Sequence, residues 1–133
     1  MIFLSESEER LFFFFGFFLF SFCGNIMERA EATVQILTRQ YGVGLAYVTL
    51  GENGCFFGTR LHSGSISAPE GIHVIDTTGA GDIFGGSAMA QLLSLGVKTR
   101  DDLDLLTRSE LQSIARFAGA AASLSTETFG GID

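Results

Sequence analysis

Histidine and cysteine are scarce in this 133-residue chain, with two of each: His62, His73, Cys23 and Cys55. They form neither a disulfide framework nor a short-spaced metal pair, so a stapled secreted scaffold and a histidine–cysteine metal cage are not expected, and a reducing compartment is. Basic residues are few as well: 8 Lys and Arg stand against 15 Asp and Glu, for a formal net charge of −7. Without a basic run there is nothing to track a nucleic-acid backbone, which argues against that class of partner. A long apolar run is also missing. The longest, "LFFFFGFFLFSFCG" at 11–24, falls short of the about 20 residues that a membrane-spanning helix needs. Glu6, Glu8 and Glu9 precede it where a signal peptide would carry basic residues. The run reads as a buried core segment or as a low-complexity piece foreign to the domain, and neither a membrane nor an export role is expected of it.

From Glu28 onward the composition is that of an ordinary α/β protein, and the length suits one domain with a core. The segment "MERAEATVQILTRQYG" sets Ala30, Val34, Leu37 and Tyr41 on one helical face, with Gly42 as a stop. "LAYVTL" (45–50) is a short apolar run between glycines and predicts a buried strand, while "GENG" (51–54) predicts a tight turn into a partner strand, "CFFGTR". "SGSISA" and "IHVI" are further strand candidates, separated by the only proline, Pro69. Two helices follow, "GDIFGGSAMAQLLSLG" and "LQSIARFAGAAASLS". The small residues 118–122 predict close approach of a neighbouring element or a flat ligand.

The stretch "DTTGAGD" (76–82) joins the last strand candidate to the first of those two helices. A strand-to-helix turn of this kind aims backbone N–H groups and the positive end of the helix dipole at one point, which suits an anion. Gly79 and Gly81 allow positive φ and leave room for a phosphate, and Asp82 falls in the first helical turn. The same residues also fit a plain tight connection with a helix-start charge. Neither the Walker A pattern nor the dinucleotide fingerprint is present.

"DTTGAGDIFGG", the upstream "VTLGENG" and the late "FAGAAASLSTETFGGI" together resemble the C-terminal half of the ribokinase-like (PfkB-type) carbohydrate kinases, in the right order and spacing. The resemblance implies a ribokinase-like layered α/β fold with a mostly parallel central sheet, present as an incomplete C-terminal portion. Residues 28–133 would be the ATP-binding part, and 1–27 an atypical Phe-rich segment. It implies transfer of the γ-phosphate of ATP to a sugar hydroxyl, with Asp82 as general base and Gly79, Ala80 and Gly81 as the anion hole. Thr49, Gly51, Gly54, Gly81, Asp82 and Gly119 would contact ATP, although Gly119 stands where the family often carries Asn or His. Asp76, Thr78, Ser125, Thr128 and Gly130 match a monovalent-cation site, suited to K⁺. Ser5 and Glu8 match a segment that organises Mg²⁺.

Nothing in the chain corresponds to the family's sugar-binding half, so the chain looks like a C-terminal fragment, expected to be inactive alone and to expose an apolar sheet edge. The partners implied are a small sugar and ATP, with a homodimer in a full-length context and a cytoplasmic location. The motifs lean towards fructokinase-like or ketodeoxygluconate kinase-like members. The alternative is a catalytically inactive remnant that binds a nucleotide or a partner protein.

Overall fold

The computed structural model of the chain describes residues 2–7, 10–15, 26–50, 53–71, 75 and 79–127. Their elements run β1 (Ile2–Ser7), β2 (Arg10–Phe15), α1 (Ile26–Arg39), β3 (Leu45–Thr49), β4 (Cys55–Gly58), β5 (Ser63–Ile66), α2 (Ala80–Ser94), α3 (Arg100–Asp104) and α4 (Arg108–Ser125). The five strands form one sheet in the order β2-β1-β3-β4-β5.

Strands β3 and β4 read as continuous apolar runs because both of their faces are covered. Leu45 and Tyr47 of β3, with Cys55 and Phe57 of β4, pack against α2, α3 and α4 through Phe84, Ala88, Leu92, Leu103, Leu111, Ile114 and Ala118. The alternate residues Ala46, Val48 and Phe56 pack against Ala30, Val34 and Leu37 of α1. The result is a layered α/β arrangement, with α1 on one face of the sheet and α2 to α4 on the other. Tyr47 anchors the larger side: its ring lies 5.9 Å from Phe57 and 5.7 Å, edge-on, from Phe84. Its hydroxyl donates to the Leu111 carbonyl at 3.3 Å.

The expectation of a mostly parallel sheet does not hold for these strands, since all four pairings are antiparallel. The reason is local. β3, β4 and β5 are joined by short turns, which only antiparallel neighbours permit, whereas a parallel step needs a crossover of a dozen residues or so. The first turn is closed by Leu50 N–H donating to the Gly54 carbonyl at 2.8 Å. The second is held by the Thr59 hydroxyl, which accepts from the N–H groups of Leu61 and His62. At the β5 edge Ser63 and Ser65 are exposed while Gly64 and Ile66 face inward. Among the described residues, large exposed apolar side chains include Leu93, Leu105, Phe117 and Leu124 on and beside the helices and Leu61 in the β4–β5 turn.

Other sequence expectations shift by small amounts. α1 ends at Arg39, so Tyr41 leaves the helical face and is 71% exposed. Of "IHVI", only Ile75 is described; it lies in a bend, and its N–H donates to the Thr126 carbonyl at 2.6 Å. Helix α3 was not foreseen, although its signal is in the sequence. Thr99 accepts from Asp102 N–H, and the Asp102 carboxylate accepts from the N–H groups of Thr99 and Lys98 at 3.0 and 2.8 Å, a reciprocal cap. Arg60 pairs with Asp104 and so ties the β4–β5 turn to α3.

Gly54 is fixed by geometry. Its φ is +91°, and a Cβ there would lie 2.0 Å from the Ile66 carbonyl oxygen. Gly54→Ala should therefore destabilise the fold by roughly 2–4 kcal/mol, combining backbone strain with a clash that only strand movement relieves. Chemical denaturation of both chains measures this, and an unchanged midpoint would contradict the packing described.

The Asp102 carboxyl is held below its ordinary 3.8, first by the Lys98 N–H and then by the Thr99 N–H that it accepts. A depressed acid contributes stability above its unfolded pKa and loses it as pH falls through the folded value. The stability gap between the parent chain and Asp102→Ala should thus be present near neutral pH and narrow below 3.8. Thermal melts across that range provide the check.

Candidate functional site

The described residues enclose a cleft of about 670 Å³ where the end of β3, the segment leaving β5, the start of α2 and the end of α4 converge. Each wall follows from local sequence. Thr49, Asn53, Gly54 and Cys55 come from the β3–β4 turn, which is short because Gly54 supplies the positive φ. Ile66 ends β5, and residues 67–70 follow it along the rim. Ala80, Gly81 and Phe84 come from the first turns of α2, and Gly119, Ala122, Ser123 and Thr126 from the last turns of α4.

The start of α2 differs from those of α3 and α4. Gly79, the N-cap, is left-handed at φ 78°, and no side chain caps the helix. The first ladder bond runs from Ile83 N–H to the Gly79 carbonyl at 3.0 Å. The amides of Ala80, Gly81 and Asp82 precede it, at the positive end of the helix dipole. A Cβ at Gly81 would meet nothing within 4 Å among the described residues. Packing therefore does not ask for glycine there, and its effect is to leave the cleft open beside those amides. At Gly119 a Cβ would stand 3.6 Å from Ile66 and 4.0 Å from Phe84, ordinary contact distances. That glycine likewise widens the cleft between two apolar walls.

The walls are electrically quiet on the sheet side. Burial pushes the Cys55 thiol up to about 12, so it is a neutral wall group and not a nucleophile. Burial, and then the neighbouring Cys55, raise Tyr47 well above the usual phenol range. At the α4 end, the Thr126 hydroxyl donates to the Ser123 carbonyl at 2.6 Å. The Thr126 carbonyl holds Ile75, the residue just before "DTTGAGD".

Of the residues singled out from the sequence, Thr49, Gly54, Ala80, Gly81 and Gly119 line this one cleft. Gly79 and Asp82 adjoin it at the head of α2, with Asp82 exposed. Ser125 does not line the cleft, and its hydroxyl donates to the Ala122 carbonyl at 2.6 Å. Ser5 lies in β1. Glu8, Gly51, Asp76, Thr78, Thr128 and Gly130 lie outside the described residues. Sequence reasoning missed Ser123 and Thr126, whose i, i+3 spacing at the end of a helix was a usable signal. It also missed the rim at 67–70, where Pro69 was read only as a separator. No group of three or more His, Cys, Asp or Glu that could hold a metal exists among the described residues, nor does a helix long and apolar enough to cross a membrane.

Comparison with known proteins agrees with this arrangement. The model of the pfkB family carbohydrate kinases matches residues 2–133. The chain is 41% identical to a probable fructokinase-2 of Arabidopsis thaliana over 91 residues, which is 66% of this chain and 25% of that protein. It is 36% identical to a fructokinase of Solanum tuberosum over 90 residues, again 66% of this chain and 25% of the relative. The chain thus spans about a quarter of the length of the curated relatives it matches. Among solved structures, a ribokinase from Giardia lamblia aligns with TM-score 0.63 and 26% identity, over 82% of this chain and 33% of that one. A fructokinase from Vibrio cholerae O395, in its fructose-, ADP- and calcium-bound form, shares the fold with TM-score 0.57 and 24% identity, over 76% of this chain and 30% of that one. A family match from residue 2 to residue 133, on a chain with this fold, means that the chain belongs to the pfkB family of carbohydrate kinases and carries part of their ribokinase-like α/β fold.

Proposed function

We propose that this chain is the nucleotide-binding and proton-accepting part of an ATP-dependent sugar kinase. The observation that carries the proposal is the convergence, on one cleft, of the uncapped start of α2, the β3–β4 turn and the gap left by Gly119. A cleft of about 670 Å³ is of the size that holds a nucleotide, within the roughly 300–1,000 Å³ common for ligand pockets. The fructokinase from Vibrio cholerae, whose structure contains fructose, ADP and calcium, supports the reading by shared fold.

On this reading the amides of Gly79, Ala80 and Gly81 receive the charge that builds on the transferred phosphoryl group. Asp82 takes the proton from the attacking sugar hydroxyl; its exposure leaves it open to an acceptor arriving from the solvent side. Thr49, Gly51 and Gly54 flank the phosphates and ribose. Gly119 opens the slot for the base between Ile66 and Phe84.

No described basic side chain lines the cleft, so phosphate charge falls to backbone amides and to a metal carried by ATP. Mg²⁺ suits that role because it binds through phosphates and a few carboxylates, without an all-protein cage, and Glu8 is the chain's candidate contact. The reading gives K⁺ the set Asp76, Thr78, Ser125, Thr128 and Gly130, and it includes a cytoplasmic location.

Gly81→Ala separates binding from folding. Alanine is the better helix former by about 1 kcal/mol, so the melting temperature should rise, while ATP affinity should fall about tenfold as the methyl group enters the anion site. Calorimetric titration with MgATP tests this, and unchanged affinity would count against the site. The 133-residue chain alone should phosphorylate no sugar above background, because the acceptor must be held in line with ATP and the proposal gives the chain only the nucleotide-binding and proton-accepting part.

Joined to a complementary sugar-binding part, Asp82→Asn should lower kcat by about 100-fold or more with ATP binding nearly intact, the loss expected for a positioned base. Steady-state kinetics with both enzymes would reveal it, and a variant turning over at the parent rate would remove Asp82 from that role.

A further inference from the structure

We propose that Glu70 gives the nucleotide cleft its direction, its carboxylate accepting a hydrogen bond from the nucleoside part of the ligand and keeping the phosphate part at the α2 end. The inference rests on the nucleotide reading above and adds to it the residue that orients the ligand.

Glu70 is the only charged side chain among the described residues that line the cleft. It is exposed, and no hydrogen bond or ion pair with a described residue engages it. Glu70 is carried by the segment that leaves β5 and not by α2, so among the described residues that line the cleft its repulsion of phosphate acts from a different wall than the α2 amides. The other pole is the head of α2, where the N–H groups of Ala80, Gly81 and Asp82 precede the helical ladder. Among the described residues, then, one wall of the cleft attracts an anion and another carries a carboxylate that repels it.

A carboxylate is an acceptor only, so what it can hold is a donor. A nucleoside offers two kinds, the ribose hydroxyls and the exocyclic amino group of adenine. Glu70 follows Pro69 on the segment that leaves Ile66, and Ile66 faces Gly119 across the apolar slot. The acceptor therefore sits on the rim continuous with the wall that would cover a base and its sugar.

The test is the affinity of the 133-residue chain for MgATP and for magnesium tripolyphosphate, which has the phosphates but no nucleoside. The parent chain should prefer ATP. Glu70→Ala should lower the ratio of the two affinities about tenfold, the size of one charge-assisted hydrogen bond together with the lost repulsion. Glu70→Gln, which keeps an acceptor and removes the charge, should fall between them. Binding of 2′-deoxy-ATP, 3′-deoxy-ATP and inosine triphosphate identifies the donor: the analogue that lacks it should bind the parent chain weakly and approach ATP in Glu70→Ala. Because Glu70 is exposed, an unchanged melting temperature should accompany each variant. If ATP binds but the ratio is the same in all three chains, the role of Glu70 is overturned and the nucleotide site stands. If ATP does not bind the parent chain, the nucleotide reading fails and this inference fails with it.

Discussion

Strand β3 is buried from both sides, and the position of nearly every other element follows from that constraint. Leu45 and Tyr47 serve the core under α2 and α4, while Ala46 and Val48 serve the core under α1. A strand with two apolar faces cannot slip by one residue without driving large side chains into positions shaped for small ones. The fit on the α1 side is close: a Cβ at Gly58 would stand 2.6 Å from Val34 Cγ1. With β3 and β4 locked in register, their connecting turn must project from the end of the sheet. Gly54 then nests against the Ile66 carbonyl, and that contact brings the turn and the end of β5 together as adjoining walls of the cleft.

The starts of α2, α3 and α4 are finished in two ways. Thr99 with Asp102, and Thr107 with Glu110, form reciprocal caps that use up the first amides of α3 and α4 locally. α2 begins on a left-handed glycine with no side-chain cap. A glycine N-cap at the surface costs roughly a few tenths of a kcal/mol relative to a side-chain cap. Here it adjoins a cleft walled by Ala80, Gly81, Gly119 and Ala122, residues that occupy little volume. The stability given up at α2 and the space kept open beside it are two aspects of one feature.

Much of this was legible in the sequence, and the limits have physical causes. The apolar run 45–50, the Asn-Gly turn and the 3.6-residue pattern of Ala30, Val34 and Leu37 each carry a local signal, and each becomes the element expected. Strand direction carries no signal in the buried runs themselves; it lay in the short turns between them, such as 51–54, which only antiparallel neighbours permit. Tyr41 misled because helical spacing continues on paper past the point where the backbone turns at Gly42. Thr49, Gly54, Ala80, Gly81 and Gly119 were site candidates through the family resemblance, and the structure gathers them around one cleft. Glu70 was not, because a rim is defined by what lies across from it and not by its neighbours in the chain, and Ser123 and Thr126 offered only their i, i+3 spacing at a helix end.

Charge then decides what the cleft can accept. The chain carries a formal net charge of −7, and none of its described basic side chains lines the cleft. The thiol of Cys55 and the phenol of Tyr47 are held neutral by burial, so the sheet side adds no charge of either sign. Among the described residues, what the proposed site offers an anion is the backbone dipoles at the head of α2. Such dipoles act over a short range and are fixed in direction, whereas lysine or arginine would draw phosphate from any angle. On the proposed reading, a cleft whose described residues include no cationic side chain favours a ligand that brings its own counter-cation and fits the slot beyond the amides, and it disfavours a bare anion that lacks both.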